Sequence, residues 1–484
     1  MLFNSLGFLL FFPTVTIVYF LIPQKIKYLW LLLASYYFYM CWNPQYALLI
    51  LTSTAVTFLS GILIDRAKTV KARKWAVAAS FIINLLILFY FKYFYFTVDN
   101  INAVLKALSL PRIVPRFDVI LPVGISFYTF QALSYTVDVY RKEVKPEKNF
   151  LKYALFVSFF PQLVAGPIER SKNLLSQVNG EHHFDYYRVR KGLLTMLWGF
   201  FLKLVIADRA AILVNTVYDN MEAFGGAYIA LATVCFALQI YCDFASYSII
   251  AIGAAEVMDF KLMKNFERPY FAVSIGDFWR RWHISLSTWF RDYLYIPLGG
   301  NKKGTVRKYL NVMIVFLVSG LWHGASWHFV IWGAIHGIYQ IFGGITEPLR
   351  KKARLGLHIE NNPIYLCIRR ALVFLLVCFA WIFFRSASLS EAGFAINRIF
   401  TGFKLAKTAE SGLDKANLIA LAVSAFVLFS VSALRENGKI SLEKTEKMNI
   451  FARWLIYYAL IFAVLIFGIY GPGYAESQFI YFQF

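Results

Sequence analysis

Long apolar runs separated by short polar stretches recur along the whole chain. Because a helix needs about 20 apolar residues to cross the hydrocarbon of a bilayer, each run predicts one or two membrane helices. The runs Tyr28–Ile64 and Tyr309–Thr346 are too long for one crossing. The first is interrupted at Asn43-Pro44 and the second near Gly320–Ser326, so each predicts two helices, or a helix and a re-entrant segment.

Shorter apolar runs predict the remaining membrane elements. They lie near Met1–Gln24, Trp75–Phe91, Ile120–Tyr140, Tyr153–Ile168, Leu193–Val205, Ala223–Cys242, Phe244–Ala255, Ala371–Phe384, Ala416–Leu434 and Trp454–Tyr474. The total is about eleven to fourteen transmembrane or re-entrant helices, and no internal repeat or long polar block divides the chain. We therefore expect an all-α polytopic membrane protein with one membrane domain, residues 1–484.

The composition supports a membrane protein over a soluble one. Of the 484 residues, 59% are hydrophobic and 16% are charged, whereas soluble domains have about 45–50% apolar and about 25% charged residues. The formal net charge of +22 would suit nucleic acid. However, Lys and Arg occupy short loops between apolar runs rather than one face, which is the pattern that orients membrane proteins.

The basic loops predict the orientation of the chain. By the positive-inside rule, we expect Asp65–Lys74, Asn301–Lys308, Pro348–Arg370 and Arg435–Arg453 to lie in the cytoplasm. Three crossings after Arg370 then leave an aromatic tail, residues 475–484, outside. The five cysteines lie in apolar runs without CxxC spacing and are interpreted as buried thiols.

A polar and aromatic stretch, Asp277–Leu294, contains the first candidate chemistry. Interpreted as one helix, it carries Trp279, Trp282 and Trp289 on one face and charged residues largely opposite. One interpretation is an interfacial helix anchored by its tryptophans. The other is a cytoplasmic mouth where His283 lies near arginines that bind a phosphate-bearing donor. The donor-binding candidates are Arg280, Arg281, Ser287 and Asp292.

A second group places three histidines, His323, His328 and His336, within one uncharged run. Polar groups at membrane depth are costly and are therefore functional candidates, although a hydrogen-bonded core histidine is the alternative for each. A zinc site is a further alternative, but these spacings do not put all three rings on one helical face, and no carboxylate or thiolate accompanies them. We therefore predict no metal. His323, beside Gly324, has the surroundings best suited to a substrate.

The motifs around these residues resemble the membrane-bound O-acyltransferase family, in its bacterial branch of alginate O-acetylation and teichoic-acid D-alanylation proteins. The resemblance covers nearly the whole chain. Its motifs are Leu121–Phe127, Gln162–Ile168, Tyr241–Ala245, Arg281–Ser287 and Leu321–Gly324. It implies that His323 is the essential intramembrane histidine, that His283 is a second histidine on the donor side, and that the helices form a ring around a central funnel.

The resemblance also implies a reaction. An acetyl group would move from cytoplasmic acetyl-CoA, with no tightly bound cofactor, to an extracellular polysaccharide through an SGNH-type extracytoplasmic partner. Tyr481 in the tail resembles a proposed transient acyl acceptor, and the alternative is an aromatic residue at the outer interface. His323 would act as general base on the acceptor hydroxyl and would need access from both sides of the membrane.

Three other functions remain open at this point. D-alanyl transfer from a carrier protein is the runner-up within the same reaction class. A polysaccharide transporter or flippase would also have many spans and buried histidines, although it would usually show paired repeats. A scaffold that only docks an extracellular transferase is the third alternative.

Overall fold

The computed structural model describes residues 1–115, 121–164, 166–405, 410, 412–441, 444–445, 447–470 and 479. Within these residues the regular structure is helical and contains no β-strand, which confirms the predicted all-α class. The α-helices of the described residues are α1 (Leu6–Leu21), α2 (Lys27–Met40), α3 (Tyr46–Arg66), α4 (Val70–Leu88), α5 (Phe94–Ala107), α6 (Ile125–Tyr140), α7 (Phe150–Ser158), α8 (Phe160–Leu163), α9 (Ser171–Val178), α10 (Tyr186–Phe200), α11 (Asp208–Tyr218), α12 (Gly226–Val257), α13 (Ile275–Arg281), α14 (Ile284–Phe290), α15 (Thr305–His323), α16 (Trp327–Gly356), α17 (Pro363–Arg385), α18 (Leu389–Thr401), α19 (Lys415–Glu436) and α20 (Ile450–Phe467).

Seven helical segments of the described chain are long and apolar enough to cross a membrane. They are α3, the continuous segment Val70–Ala107 that contains α4 and α5, α12, α16, α17, α19 and α20. The protein is thus a multi-pass membrane protein, as the apolar runs predict. The larger total of eleven to fourteen elements and the ring arrangement stay predictions.

Two predicted helix breaks are confirmed. The chain leaves α2 at Met40 and enters α3 at Tyr46, on either side of Asn43-Pro44. Proline has no backbone N–H and fixes its own φ, so it ends a helix readily. The second break separates α15, which ends at His323, from α16, which begins at Trp327.

One predicted break is wrong. The runs Ala223–Cys242 and Phe244–Ala255 were expected to form separate elements, but they form the single helix α12. The charge of Asp243 does not interrupt the helix because Lys203 lies 2.8 Å from its carboxylate. The same ammonium lies 2.8 Å from Asp208, and all three side chains are buried. Paired in this way, a carboxylate is compatible with a buried apolar helix.

The chain divides into two compact units, residues 1–193 with 251–263, and residues 194–250 with 264–484. The first unit packs around the rings of Tyr135 and Tyr153, whose centroids are 4.5 Å apart, and the Tyr153 hydroxyl donates to Thr57. The second unit contains both His283 and His323. The predicted single membrane domain stays a prediction.

Candidate active site

The polar segment at Asp277 is not one helix, contrary to the prediction. It is divided between α13 and α14, and the break falls at Trp282 and His283. His283 has a left-handed backbone with φ of 44°, a conformation that an α-helix cannot contain. The break removes the continuous face on which the tryptophans were predicted to align, and it separates His283 from the regular turns on either side.

Asn265 stabilises this break. Its carbonyl accepts from the backbone N–H of Ile284 at 2.9 Å. Its side-chain oxygen accepts from the backbone N–H of Ser285 at 3.2 Å and from the Ser285 hydroxyl at 2.8 Å. The first N–H groups of a helix have no partner within the helix, so a neighbouring segment that accepts from them fixes where α14 begins.

The same amide holds the imidazole of His283. Nδ1 of His283 lies 3.1 Å from Oδ1 of Asn265. The Ser285 N–H donates to this same atom, which identifies it as the oxygen of the Asn265 amide. Nδ1 of His283 therefore carries the proton, and Nε2 is the acceptor nitrogen. The ring is fully buried against Phe244, with centroids 4.6 Å apart. His283 lies outside the seven apolar segments, and burial lowers its pKa to about 3, so it is neutral at physiological pH.

His323 is the last residue of α15 and lies near His283. The centroids of the two imidazoles are 6.5 Å apart. His323 is 3% exposed, and the rings of Trp322 and Trp332 stand nearly perpendicular to it at 5.0 and 4.9 Å. The structure therefore brings together the two histidines that are separated by 40 positions in the sequence.

Close packing of α15 on α16 fixes the backbone at His323. A methyl group at Gly320 would collide with the carbonyl of Phe329, and one at Gly333 would collide with the carbonyl of Phe316. Only glycine allows such an approach of two helix backbones. The two helices therefore meet in a tight junction, and Gly324, whose missing side chain leaves room for the Phe329 ring, contributes to it.

The other two histidines of this run have structural partners. Nδ1 of His336 accepts from the indole N–H of Trp279 at 3.2 Å. Nδ1 of His328 lies 3.0 Å from the Phe383 carbonyl, to which it donates. In the part of the chain that is described, no three His, Cys, Asp or Glu side chains are grouped to hold a metal ion.

The two candidate donor-binding arginines differ in their surroundings. Arg281 is half-buried and makes a bidentate pair with Glu436, with both N–O distances 3.0 Å, and it also lies 3.2 Å from Asp277. Arg280 is 73% exposed and reaches Asp277 only at 3.6 Å. Since a bidentate pair occupies the planar fork of a guanidinium, Arg280 is the better placed of the two to meet a phosphate.

The remaining donor-binding candidates lie further along the same segment. The hydroxyl of Ser287 donates to the carbonyl of Trp282 at 3.3 Å. Asp292 follows α14 in a π-helical turn, and its carboxylate is 2.8 Å from Arg291. These contacts do not test donor binding, so the role of Ser287 and Asp292 in binding the donor stays a prediction.

The described part of the C-terminal tail contacts the same region. Tyr481 lies outside the described residues. Phe479, two positions before it, is fully buried. Its ring centroid lies 4.4 Å from that of Tyr247 and 5.6 Å from that of Phe244, the ring that contacts His283. The tail thus reaches the aromatic surroundings of His283 in the second unit.

Sequence reasoning missed Asn265 and the contact made by Phe479. Asn265 lies in the irregular segment between α12 and α13, where no apolar period marks it. Its role depends on hydrogen bonds to residues 18 to 20 positions away, which one sequence does not reveal. The aromatic composition of the tail was the available signal for Phe479.

Comparison with known proteins decides the family. The model of "MBOAT, membrane-bound O-acyltransferase family" matches residues 141–388, a range that includes Asn265, His283 and His323. The chain belongs to the membrane-bound O-acyltransferase family. It is therefore an acyltransferase, and the transporter and scaffold alternatives are not supported.

Individual relatives of this acyltransferase agree with the family match. "Probable alginate O-acetylase AlgI" of Pseudomonas putida is 36% identical and aligns over 100% of both chains. "Peptidoglycan O-acetyltransferase" of Helicobacter pylori is 33% identical over 81% of this chain and 78% of the relative. "Teichoic acid D-alanyltransferase" of Bacillus subtilis is more distant, at 26% identity over 56% of this chain and 70% of the relative.

Proposed function

We propose that this membrane O-acyltransferase moves an acetyl group from cytoplasmic acetyl-CoA to the outer side of the membrane for O-acetylation of an extracellular polysaccharide. The observation that carries the proposal is the pair of buried imidazoles, His283 and His323, with centroids 6.5 Å apart inside the range that matches the family. The two relatives named as O-acetylating enzymes support acetyl as the transferred group.

The donor remains on the cytoplasmic side in this proposal. Coenzyme A is multiply charged, and one charge at the bilayer centre already costs several kcal/mol, so only the acetyl group passes. Arg280, exposed at the C-terminal end of α13, would pair with donor phosphates. Arg281 would position this helix through Glu436 and Asp277.

His323 would act as general base. A hydroxyl attacks a thioester poorly until its proton is removed, and a positioned base typically contributes about 10²–10⁴ in rate. The hydroxyl oxygen forms a bond to the acetyl carbon while the carbon–sulfur bond breaks. His323 takes the hydroxyl proton and returns it to the departing thiolate. His283, neutral and held by Asn265, would orient the thioester.

Tyr481 would be the first acceptor. The burial of Phe479 against Tyr247 and Phe244 supports this step, because two residues of chain span at most about 7 Å. A tyrosine at that distance is within reach of the rings that line His283. An SGNH-type extracytoplasmic partner would then take the acetyl group from the tyrosine and transfer it to the polysaccharide.

Both rings are almost completely enclosed by protein, with 0% of His283 and 3% of His323 exposed. The proposal therefore requires the surrounding aromatic side chains to move before donor and acceptor meet. The rings of Trp322 and Trp332 lie beside His323 and stand nearly perpendicular to it. The ring of Phe384 also lies beside it, with centroids 5.5 Å apart.

The test is the intact mass of the purified protein after incubation with acetyl-CoA. We expect the wild-type chain to gain one acetyl group, Tyr481→Phe to gain none, and His323→Gln to be slower by at least about 100-fold. His328→Asn is the matched control from the same run of sequence. The asparagine amide nitrogen takes the place of Nδ1 and donates to the Phe383 carbonyl, so the acetylation rate of this variant should match the wild-type rate.

Each variant separates one part of the proposal. A normal acetylation rate in His323→Gln would end the assignment of the base. An acetyl group that remains in Tyr481→Phe would exclude Tyr481 as acceptor and leave the rest of the mechanism in place. Equal losses in His323→Gln and His328→Asn would indicate damage to the fold rather than to the chemistry.

D-alanyl transfer is the second candidate, favoured by the likeness to the Bacillus subtilis relative. The same mass measurement distinguishes it. A gain of one alanyl group from a D-alanyl carrier protein, with no gain from acetyl-CoA, would favour this second reaction over acetyl transfer.

A further inference from the structure

A large apolar groove lies in the second unit, and neither imidazole lines it. Its volume is about 790 Å³. Helices α12, α17 and α19, all long and apolar enough to span a membrane, form most of its walls. Phe426 and Phe429 in this groove are among the exposed large apolar side chains, so the groove opens at the protein surface. In a membrane protein such a surface faces lipid.

The polar side chains of the groove are grouped at one end. Arg268 lies 2.6 Å from Glu436, the last residue of α19, so it lies at the C-terminal end of that helix. The guanidinium of Arg370 lies 5.4 Å from the Phe271 ring, which in turn stacks on Phe429 at 5.1 Å. Both arginines therefore lie near the C-terminal end of α19.

The opposite end of the groove is apolar. Leu418, at the beginning of α19, lines it together with Leu213 and Leu231. From Leu418 to Ser432 the helix rises about 21 Å, at 1.5 Å per residue. One leaflet of a bilayer contributes about 15 Å of hydrocarbon. The groove is thus long enough to hold acyl chains of one leaflet beside the protein.

Arg370 supplies positive charge that the described protein does not neutralise. Its guanidinium makes no ion pair with a carboxylate among the described residues, and its buried Nε has no hydrogen-bond partner there. Arg268 is different, because Glu436 and Glu267 pair with it. No acidic side chain lines the described walls of the groove. A buried donor without a partner is costly, which points to an anionic ligand at Arg370.

We propose that an anionic phospholipid occupies this groove, with its acyl chains along α12, α17 and α19 and its phosphate on Arg370. Charge complementarity selects an anionic headgroup, and basic loops that flank these helices attract the same lipids. The volume favours a lipid over a membrane-spanning helix. A membrane-spanning helix about 10 Å wide and 30 Å long fills more than about 2,000 Å³, whereas a cavity of about 300–1,000 Å³ suits one small ligand.

The experiment titrates purified full-length protein in neutral detergent with phosphatidylglycerol and follows binding by native mass spectrometry. Phosphatidylcholine and inorganic phosphate serve as separate titrants. We expect phosphatidylglycerol to bind more tightly than phosphatidylcholine, because only the former has a net negative charge, and inorganic phosphate not to displace it. Arg370→Gln should bind phosphatidylglycerol about fivefold more weakly, while Arg370→Lys should retain most of the affinity.

Two matched controls locate the site. Arg369→Gln removes the neighbouring arginine, which lies over Tyr365 outside the groove, and should bind like the wild type. Ala425→Phe places a ring in the groove and should reduce binding, whereas Val423→Phe on the outer surface of the same helix should not. Size-exclusion profiles that match the wild type establish that each variant is folded.

Three results would overturn the proposal. Equal affinity for the anionic and the zwitterionic lipid would remove the charge argument. Unchanged lipid binding in both Arg370→Gln and Ala425→Phe would place any bound lipid elsewhere. Loss of a co-purifying single-span protein in Ala425→Phe, with lipid binding intact, would show that a partner helix occupies the groove.

Discussion

At the scale of single residues, Asn265 determines the position of His283. Its side-chain oxygen accepts from the imidazole and from Ser285, and its amide donates to the Ser248 hydroxyl at 2.9 Å. All of these side chains are buried. Removal of such a hub leaves several buried donors without an acceptor, which costs about 1–3 kcal/mol for each group.

We predict that Asn265→Ala lowers kcat for acyl transfer at least tenfold and leaves KM for acetyl-CoA nearly unchanged. In the proposed mechanism the donor phosphates pair with Arg280, whereas Asn265 acts through His283 on the reacting thioester. Asn265→Asp, which keeps an acceptor oxygen, should recover part of kcat. Steady-state kinetics of the purified variants provide the measurement, and Ser248→Ala, which removes only the partner of the amide, is the milder control. A kcat in Asn265→Ala within twofold of the wild type would contradict the role.

The sequence predicted the two histidines but not Asn265, the residue that holds His283. His323 stands out because a titratable side chain inside apolar sequence is rare, and His283 stands out because it lies among arginines and tryptophans. Their proximity, and the anchoring of His283 by Asn265, depend on tertiary contacts between segments far apart in the chain. No period or spacing near Asn265 encodes those contacts. The pairing of Arg281 with Glu436, 155 positions away, is hidden from the sequence for the same reason.

At the scale of elements, the buried ion cluster of Lys203, Asp208 and Asp243 allows α12 to continue through a charged position. The sequence showed only a charge between two apolar runs and therefore predicted two helices. Helix ends were predictable where covalent geometry imposes them, as at Asn43-Pro44. They were not predictable where hydrogen bonds from another segment impose them, as at His283.

We predict that Lys203→Met destabilises the protein by about 3–5 kcal/mol, because it leaves two carboxylates buried without their cation. Asp243→Asn is the matched control. It removes one carboxylate while Lys203 remains paired with Asp208, so the loss should be clearly smaller. Unfolding of both variants in the same detergent, followed by circular dichroism, provides the comparison. Equal stability of Lys203→Met and wild type would show that this cluster contributes little.

At the scale of the whole molecule, orientation follows from the distribution of Lys and Arg. The loop after α19 is basic, and α20 is a single apolar helix of 18 residues. The positive-inside rule predicts that this loop is cytoplasmic, and one crossing after it would place the C-terminus outside. The proposed role of Tyr481 depends on this orientation, because the partner that unloads it is extracytoplasmic.

We predict that alkaline phosphatase fused after Phe484 is active in bacterial cells, whereas the same enzyme fused after Lys439 is inactive. The reporter needs disulfides, which form outside the cytoplasm but not inside it. Enzyme activity per amount of fusion protein is the measurement, with immunoblots to control for expression. The opposite pattern would place the tail in the cytoplasm and exclude an extracytoplasmic transfer from Tyr481.

The buried ring of Phe479 has a kinetic consequence if Tyr481 is the acceptor. A hydroxyl tethered to its own enzyme is present at a fixed, roughly millimolar effective concentration. The first half-reaction is then unimolecular in protein and independent of how many copies the cell makes. Each copy holds one acetyl group at a time. The steady rate of polymer acetylation is therefore set by how fast the acetyl group leaves Tyr481 and how fast the free tyrosine returns to the active site.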